Sequence, residues 1–323
     1  MSRARRGALL FLAVFLVCLL AAELALRLLR PDWKPAAGVP FFRPDPRLGW
    51  ALRENWSGTF PVAGRQTRVA ISAQGLRDDA YAARPPDGVR RVVLLGDSFG
   101  WGFGVDKAEA FDTLLERGDP HLEIINMSVP GYGTDQEALA LEEKGLACHP
   151  ALVLLLFHPN DLLNNTWPRQ YGYPKPAFTL ENGRLALRPG TAERSLVERL
   201  TRRSVLLHQL WNRFAEPTQD LHASPRLAWE VTERLFLRMR EVSARGGARF
   251  AIVTFPWVDD ATNALLERVR GMIDRSGITR VELSLATSPD LLEPATQHWT
   301  PAGHRAVAAA LRPRLAELLG ATH

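Results

Sequence analysis

Arg91-Val92-Val93-Leu94-Leu95-Gly96-Asp97-Ser98-Phe99-Gly100 decides how this chain is read. Val92–Leu95 is an unbroken apolar run, and it passes straight into a glycine-flanked Asp-Ser. A continuous run, unlike an alternating one, marks a strand covered on both faces in a parallel sheet. Comparable runs recur at Leu122–Ile125, Leu152–Phe157 and Phe250–Phe255, with Glu123 as the main exception, and Val281–Leu285 is a fifth candidate strand. Segments of helical period lie between them. Strand, loop and helix in repetition predict a doubly wound α/β domain with five strands, helices on both faces and right-handed connections.

Outward from this core, Thr134-Asp135-Gln136-Glu137 reads as a capping box that opens one helix. Val307–Leu319 forms a last apolar-striped helix that Pro313 should kink. Between Phe157 and Phe250 the chain is far longer than an ordinary βα connection. Its first part, Trp167–Gly190, is rich in proline and aromatics and carries Asn182-Gly183, a hairpin turn. Its second part has helical period over Ala192–Phe214 and Ala228–Ala244. An insertion at the carboxyl end of a strand sits where open α/β sheets bind ligands, so 162–248 is expected to form a lid on the domain spanning 91–320.

The N-terminal region reads differently. Arg3, Arg5 and Arg6 precede an uncharged stretch from Gly7 to Ala22, and the apolar character resumes from Leu24 to Leu29 around Glu23 and Arg27. No small-x-small cleavage site follows, and a span needs roughly 20 residues, so 1–30 is expected to be an uncleaved membrane anchor with its domain exported. A Pro-rich linker occupies 31–46, and 47–90, with Trp50, Trp56 and Phe60, reads as a cap whose Arg68–Ser72 alternates like an edge strand.

The chain has 323 residues, a net charge of +5 and 46% hydrophobic residues, which is globular composition. Basic residues are dispersed beyond the extreme N-terminus, so no nucleic-acid partner is expected. Cys18 and Cys148 offer neither a disulfide framework nor a zinc spacing, and none of the eight histidines forms an H-E-x-x-H pair. No metal or other cofactor is expected.

A serine at the end of a buried parallel strand, with glycines allowing a sharp turn, is placed to be a nucleophile. A phosphate loop is excluded because no Gly-Lys-Ser/Thr follows, and Asp97 and Phe99 crowd the positions a dinucleotide turn would leave open. Asp97 is expected to brace the turn through backbone hydrogen bonds. Three further segments stand at successive strand ends or near the C-terminus. They are Asn126-Met127-Ser128-Val129-Pro130-Gly131, His158-Pro159-Asn160-Asp161 and His298-Trp299-Thr300-Pro301.

In this order the segments resemble the motif blocks of the SGNH, or GDSL-like, hydrolase superfamily, over roughly 91–319 without the insertion. The resemblance implies a flavodoxin-like five-stranded sheet and assigns Ser98 as nucleophile and His298 as general base. It also implies an oxyanion hole from the Gly131 amide and the Asn160 side chain. One feature departs from the pattern. Family members carry an aspartate two or three residues before the histidine, and here those positions are Thr296 and Ala295. Either Glu293 or Asp290 orients His298, or a backbone carbonyl does.

Three functional readings follow. The first is exported hydrolysis of small acyl esters, acetate foremost, on carbohydrate or another acylated substrate. The second is transfer of the acyl group to a sugar hydroxyl, and the third is a degenerate carbohydrate-binding protein. Trp101, Trp167, Tyr171, Tyr173, Trp257 and Trp299 are candidates for a sugar platform, with core packing as the competing role. His304 and His158 are read as structural, and Asp161 as a helix cap.

Overall fold

The computed structural model describes residues 3–29, 39–171, 173–190, 200, 203–214, 225–285 and 290–320. Of the linker expected at 31–46, residues 31–38 lie outside these, as do 192–199 of the helical segment expected from Ala192. Two compact units group the chain. One combines the described parts of 1–40 and 191–222; the other combines 41–190 with 223–323.

The first unit contains α1 (Arg3–Leu29) and α6 (Val205–Phe214). Residues Arg5–Leu29 are long and apolar enough to cross a membrane, with a mean hydropathy of 2.8 over the best window.

The second unit begins with two hairpins, β1 (Phe42–Asp45) with β2 (Gly49–Leu52) and β3 (Ser57–Val62) with β4 (Arg65–Ala70). The strand expected at Arg68–Ser72 is therefore the end of β4, which starts three residues earlier. The central sheet follows as β5 (Arg90–Gly96), β6 (Leu122–Asn126), β7 (Leu152–Leu156), β12 (Arg249–Thr254) and β13 (Thr279–Glu282). All its pairings are parallel. The spatial order β6-β5-β7-β12-β13 is second, first, third, fourth, fifth, which is the flavodoxin-like order. Direction reverses between β5 and β7, and ligands of such sheets bind beyond the strand ends at that switch point.

Alternate residues of these strands feed two faces. On one, Val92, Leu94, Ile124, Leu154 and Val253 pack with Phe111 and Leu115 of α3 (Phe111–Glu116) and with Val307 and Leu311 of α9 (Pro301–Leu319). On the other lie α4 (Thr134–Ala140) and α7 (Pro225–Arg245), where Phe157 meets the Phe236 ring edge-on at 5.3 Å. Two short helices, α2 (Ser98–Trp101) and α5 (Asn160–Asn164), start at the ends of β5 and β7. The sheet is completed by α8 (Asp260–Arg275), leading into β13.

Three local expectations shift. The strand expected at Val281–Leu285 starts at Thr279, because an edge strand tolerates charge: Arg280 and Glu282 pair with each other, and Arg280 with Asp274. The capping box moves by one residue. Gly133 is the cap and its N–H donates to Gln136 Oε1, while Thr134 and Glu137 are buried inside the helix. Finally, α9 runs from Pro301 to Leu319 as one helix through Pro313.

The long insertion divides between the two units. Its first part forms β8 (Arg169–Gln170) with β9 (Tyr173–Pro174) and β10 (Ala177–Glu181) with β11 (Arg184–Arg188). The β10–β11 turn is Asn182-Gly183, both at positive φ as a two-residue primed turn requires.

Candidate active site

Ser98 owes its position to a strand that stops at Gly96 and a helix that starts at once. Asp97 Oδ1 accepts the Phe99 N–H at 2.9 Å and so caps α2, as its place in the sequence leads one to expect. A Cβ on Gly100 would lie 2.9 Å from Ser128 Cβ and collide with its hydroxyl. Glycine therefore lets α2 seat against the loop after β6. From below, buried Arg77 donates to the carbonyls of Trp101 and Gly102 at 2.9 and 2.7 Å and to Val105. Its burial pulls its pKa down to about 10. Asn126 Nδ2 donates to the Gly100 carbonyl at 2.8 Å and to Asp112 at 2.7 Å. The turn that carries Ser98 is thus clamped by two side chains to which the sequence reading assigned no such role.

His298 Nε2 stands 2.7 Å from Ser98 Oγ. Its Nδ1 is 2.9 Å from the Thr296 carbonyl, which can only accept. Nδ1 therefore carries the proton, and Nε2 presents its lone pair to the serine hydroxyl. The ring is stacked on Phe99, 4.7 Å between centroids, and leans on Phe103. Burial lowers the His298 pKa, opposed most strongly by the charge of Asp97.

The group facing Nδ1 is thus the Thr296 carbonyl rather than a carboxylate of Glu293 or Asp290. Glu293 instead builds the loop: its carboxylate accepts the Thr296 N–H at 2.7 Å, and its own N–H donates to the His298 carbonyl at 2.8 Å. Asp290 contributes its main-chain carbonyl to Thr300 Oγ1 at 2.7 Å, while Thr300 caps α9.

Asn160 opens α5 beside this pair. Its Nδ2 donates to Asp97 Oδ2 at 3.3 Å, and the same oxygen lies 3.5 Å from Ser98 Oγ. Its Oδ1 meets His158 Nδ1. His158 is stacked on Phe99 and set edge-on to Trp257. Gly131 has φ +80, and a side chain there would strike the ring of Tyr171, which comes from the β8–β9 turn. The Gly131 loop is braced by the first hairpin: Trp50 Nε1 donates to the Pro130 carbonyl at 3.3 Å and Tyr132 Oη to the Trp50 carbonyl at 2.6 Å. Ser98, His298 and Asn160 therefore meet at one point around Asp97, and Tyr171 closes the side where Gly131 lies.

Behind the site is a buried acidic group. Glu137 and Asp161 are enclosed, and desolvation raises both pKa values well above the ordinary range. Asp161 lies inside α5, where it accepts the His158 N–H at 3.3 Å instead of capping the helix. Asp135 is paired with Lys175, both fully buried. Beside the His298 loop, a cavity of about 200 Å³ is lined by Val62, Phe103, Glu293, Thr296, Trp299 and Thr300.

Of the aromatic platform candidates, Trp101 and Trp299 are buried in the core, whereas Tyr171 is about half exposed. His304 Nδ1 accepts the Phe111 N–H at 3.2 Å, and burial takes its pKa to about 3, a structural role. No group of three or more His, Cys, Asp or Glu side chains is arranged to hold a metal ion among the described residues.

No family model matches the chain, and no curated protein matches it. Solved structures similar to it include TesA, at 14% identity and TM-score 0.45, covering 71% of this chain and 99% of that one. A GDSL-like lipase from Bacteroides thetaiotaomicron is 13% identical with TM-score 0.41, covering 72% of this chain and 91% of that one. The esterase EstA from Pseudoalteromonas sp. is 13% identical with TM-score 0.43, covering 72% and 99%. Here the fold rests on the strand order and the site on its own geometry.

Proposed function

We propose that the chain is a membrane-anchored serine hydrolase that cleaves esters of small acyl groups through an acyl-enzyme. The observation that carries this reading is the 2.7 Å contact between Ser98 Oγ and a His298 Nε2 whose tautomer is set by Thr296. Ser98 Oγ attacks the ester carbonyl while His298 Nε2 takes its proton. The resulting oxyanion is received by the Ser98 and Gly131 amides and by Asn160 Nδ2, which turns from Asp97 toward it. His298 then protonates the leaving alcohol. Water, deprotonated by the same nitrogen, releases the acid and restores Ser98.

The Tyr171 ring against Gly131 supports a short acyl chain, acetate foremost, because it crowds the side on which the acyl group would extend. Taken as the leaving-group side, the cavity beside the His298 loop supports an alcohol larger than methanol or ethanol, for which an acetylated sugar is our choice. The apolar length of α1 supports anchoring; export of the catalytic unit is part of the same proposal. Detergent-solubilised full-length protein should be labelled by a serine-directed alkyl phosphonate, and Ser98→Ala should abolish the label. Wild-type protein that stays unlabelled while folded would overturn the hydrolase reading. Release of acetate from an acetylated polysaccharide, compared with release from a long-chain ester, tests the substrate.

A further inference from the structure

Glu23 and Arg27 are out of place in an apolar helix, and the structure gives both a task. Glu23 Oε2 accepts the Ser204 hydroxyl at 2.8 Å and the Leu206 N–H at 2.9 Å, and Oε1 accepts the Val205 N–H at 3.0 Å. Arg27 Nη2 donates to the Arg203 carbonyl at 2.8 Å and Nε to Glu23 at 2.7 Å. A carboxylate from α1 thus satisfies orphan N–H groups at the start of α6, a helix some 180 residues later in the chain. Val205 is buried at this junction. The neighbouring leucines are not: Leu200, Leu207 and Leu210 are exposed, the last two at i and i+3 on one helical face. In sequence, Trp211 and Phe214 stand at i+4 and i+7 from Leu207.

Lipid is the partner these features fit. The surface of α1 is exposed and apolar on both sides of Glu23, from Leu9 to Leu20 and at Leu24, Leu28 and Leu29. In a bilayer, a paired Glu and Arg sit at the polar boundary, which fixes Glu23 near the interface. Whatever Glu23 caps is held at that level. A short helix with exposed leucines on one face, pinned there, has the character of an interfacial helix. We propose that α6 lies in the headgroup region beside α1 as a second membrane contact, resting on the reading of α1 as an anchor. Cleavage after residue 23 would remove the cap, so the clamp requires Glu23 and the end of α1 that follows it to be retained.

The test uses full-length protein in phosphatidylcholine vesicles, with Cys18→Ser and Cys148→Ser as background. A single cysteine, introduced as Phe15→Cys, Leu207→Cys or Leu210→Cys, is labelled with an environment-sensitive fluorophore, and nitroxide lipids quench it at shallow or deep positions. The label at 15 should be quenched most by the deep nitroxide. Labels at 207 and 210 should be quenched about twofold by the shallow one and less by the deep one. Quenching at 15 with none at 207 or 210 would overturn the proposal and leave the anchor standing. No quenching at 15 would overturn both. Adding Glu23→Ala should abolish quenching at 207 and 210 without changing it at 15; unchanged quenching at all three would refute the clamp.

Discussion

Replacing Glu293 by Gln separates two ways of holding the catalytic imidazole. The neutral ring has one proton on Nδ1, and the Thr296 carbonyl already takes it at 2.9 Å. No carboxylate can share that bond without displacing the carbonyl. Glu293 instead accepts the Thr296 N–H at 2.7 Å, and a glutamine Oε1 can accept the same bond, so the loop keeps its shape. What Glu293→Gln removes is one negative charge in a partly exposed position, which solvent screens. The expected loss in kcat/KM on a short-chain aryl ester is therefore no more than about fivefold. A triad carboxylate would give a very different result, since neutralising it costs about 10⁴-fold in kcat. Initial rates between pH 5 and 9, with Ser98→Ala as the floor, read the difference. Glu293→Ala should lose more than Glu293→Gln, because it also frees the Thr296 amide. If Glu293→Gln fell by three orders of magnitude with unchanged circular dichroism, the backbone-held dyad would be refuted, and a rearrangement bringing Glu293 onto Nδ1 would take its place.

Asn160→Ala should lower kcat by about 100- to 1,000-fold with little change in KM, since the lost donor acts on the oxyanion rather than on bound ester. Activity should rise with pH as His298 loses its proton, with the inflection below the usual imidazole value of about 6.5 because burial disfavours the cation. Asp97→Asn, which removes the strongest charge favouring that cation, should move the inflection lower still in a pH–rate profile; an upward move would contradict the assignment. Lys175→Met leaves Asp135 buried without its partner and should cost about 3–5 kcal/mol. A melting curve should then fall by roughly 6–20 °C for a unit of this size, and Lys175→Met with Asp135→Leu should recover part of it.

What could be read in advance, and what could not, follows from where the information is stored. Four buried strands announce themselves because both faces must be apolar. The fifth, like β6 an edge strand, shows only as the alternating Val281–Leu285 and begins two residues earlier, since Arg280 and Glu282 satisfy one another at its rim. The residues of the site that act through side chains, Ser98, Asn160 and His298, stand in recognisable segments. Thr296 acts through a carbonyl that every residue possesses, so its side chain carries no trace of the role. Arg77 is equally silent: it is one arginine in an irregular stretch, and its targets are backbone oxygens. Trp101 and Trp299 take the competing role, core packing, and sequence left that open for a related reason: a ring near a strand end looks the same whether it faces solvent or core.

His158 explains how so sparse a dyad can be made ready for its oxyanion. Asn160 could in principle present either end of its amide to the serine. With Oδ1 toward Asp97 the amide would oppose oxygen to carboxylate, whereas the observed arrangement gives Asp97 the Nδ2 donor at 3.3 Å. Oδ1 then accepts from His158 Nδ1, so His158 holds its proton there, and burial keeps its ring from charging. The Asn160 backbone N–H, 3.4 Å from the same nitrogen, is a weaker contact and does not reverse the assignment. Both ends of the amide are therefore committed, and the donor end is held by the Asp97 oxygen that lies 3.5 Å from Ser98 Oγ. Turning Nδ2 from Asp97 to an oxyanion keeps the His158 bond and exchanges one negatively charged acceptor for another. The negative charge of Asp97 favours the imidazolium that forms. In this arrangement Asp97 supplies part of the electrostatic support that a carboxylate on Nδ1 provides elsewhere, through its charge rather than through a bond to the ring.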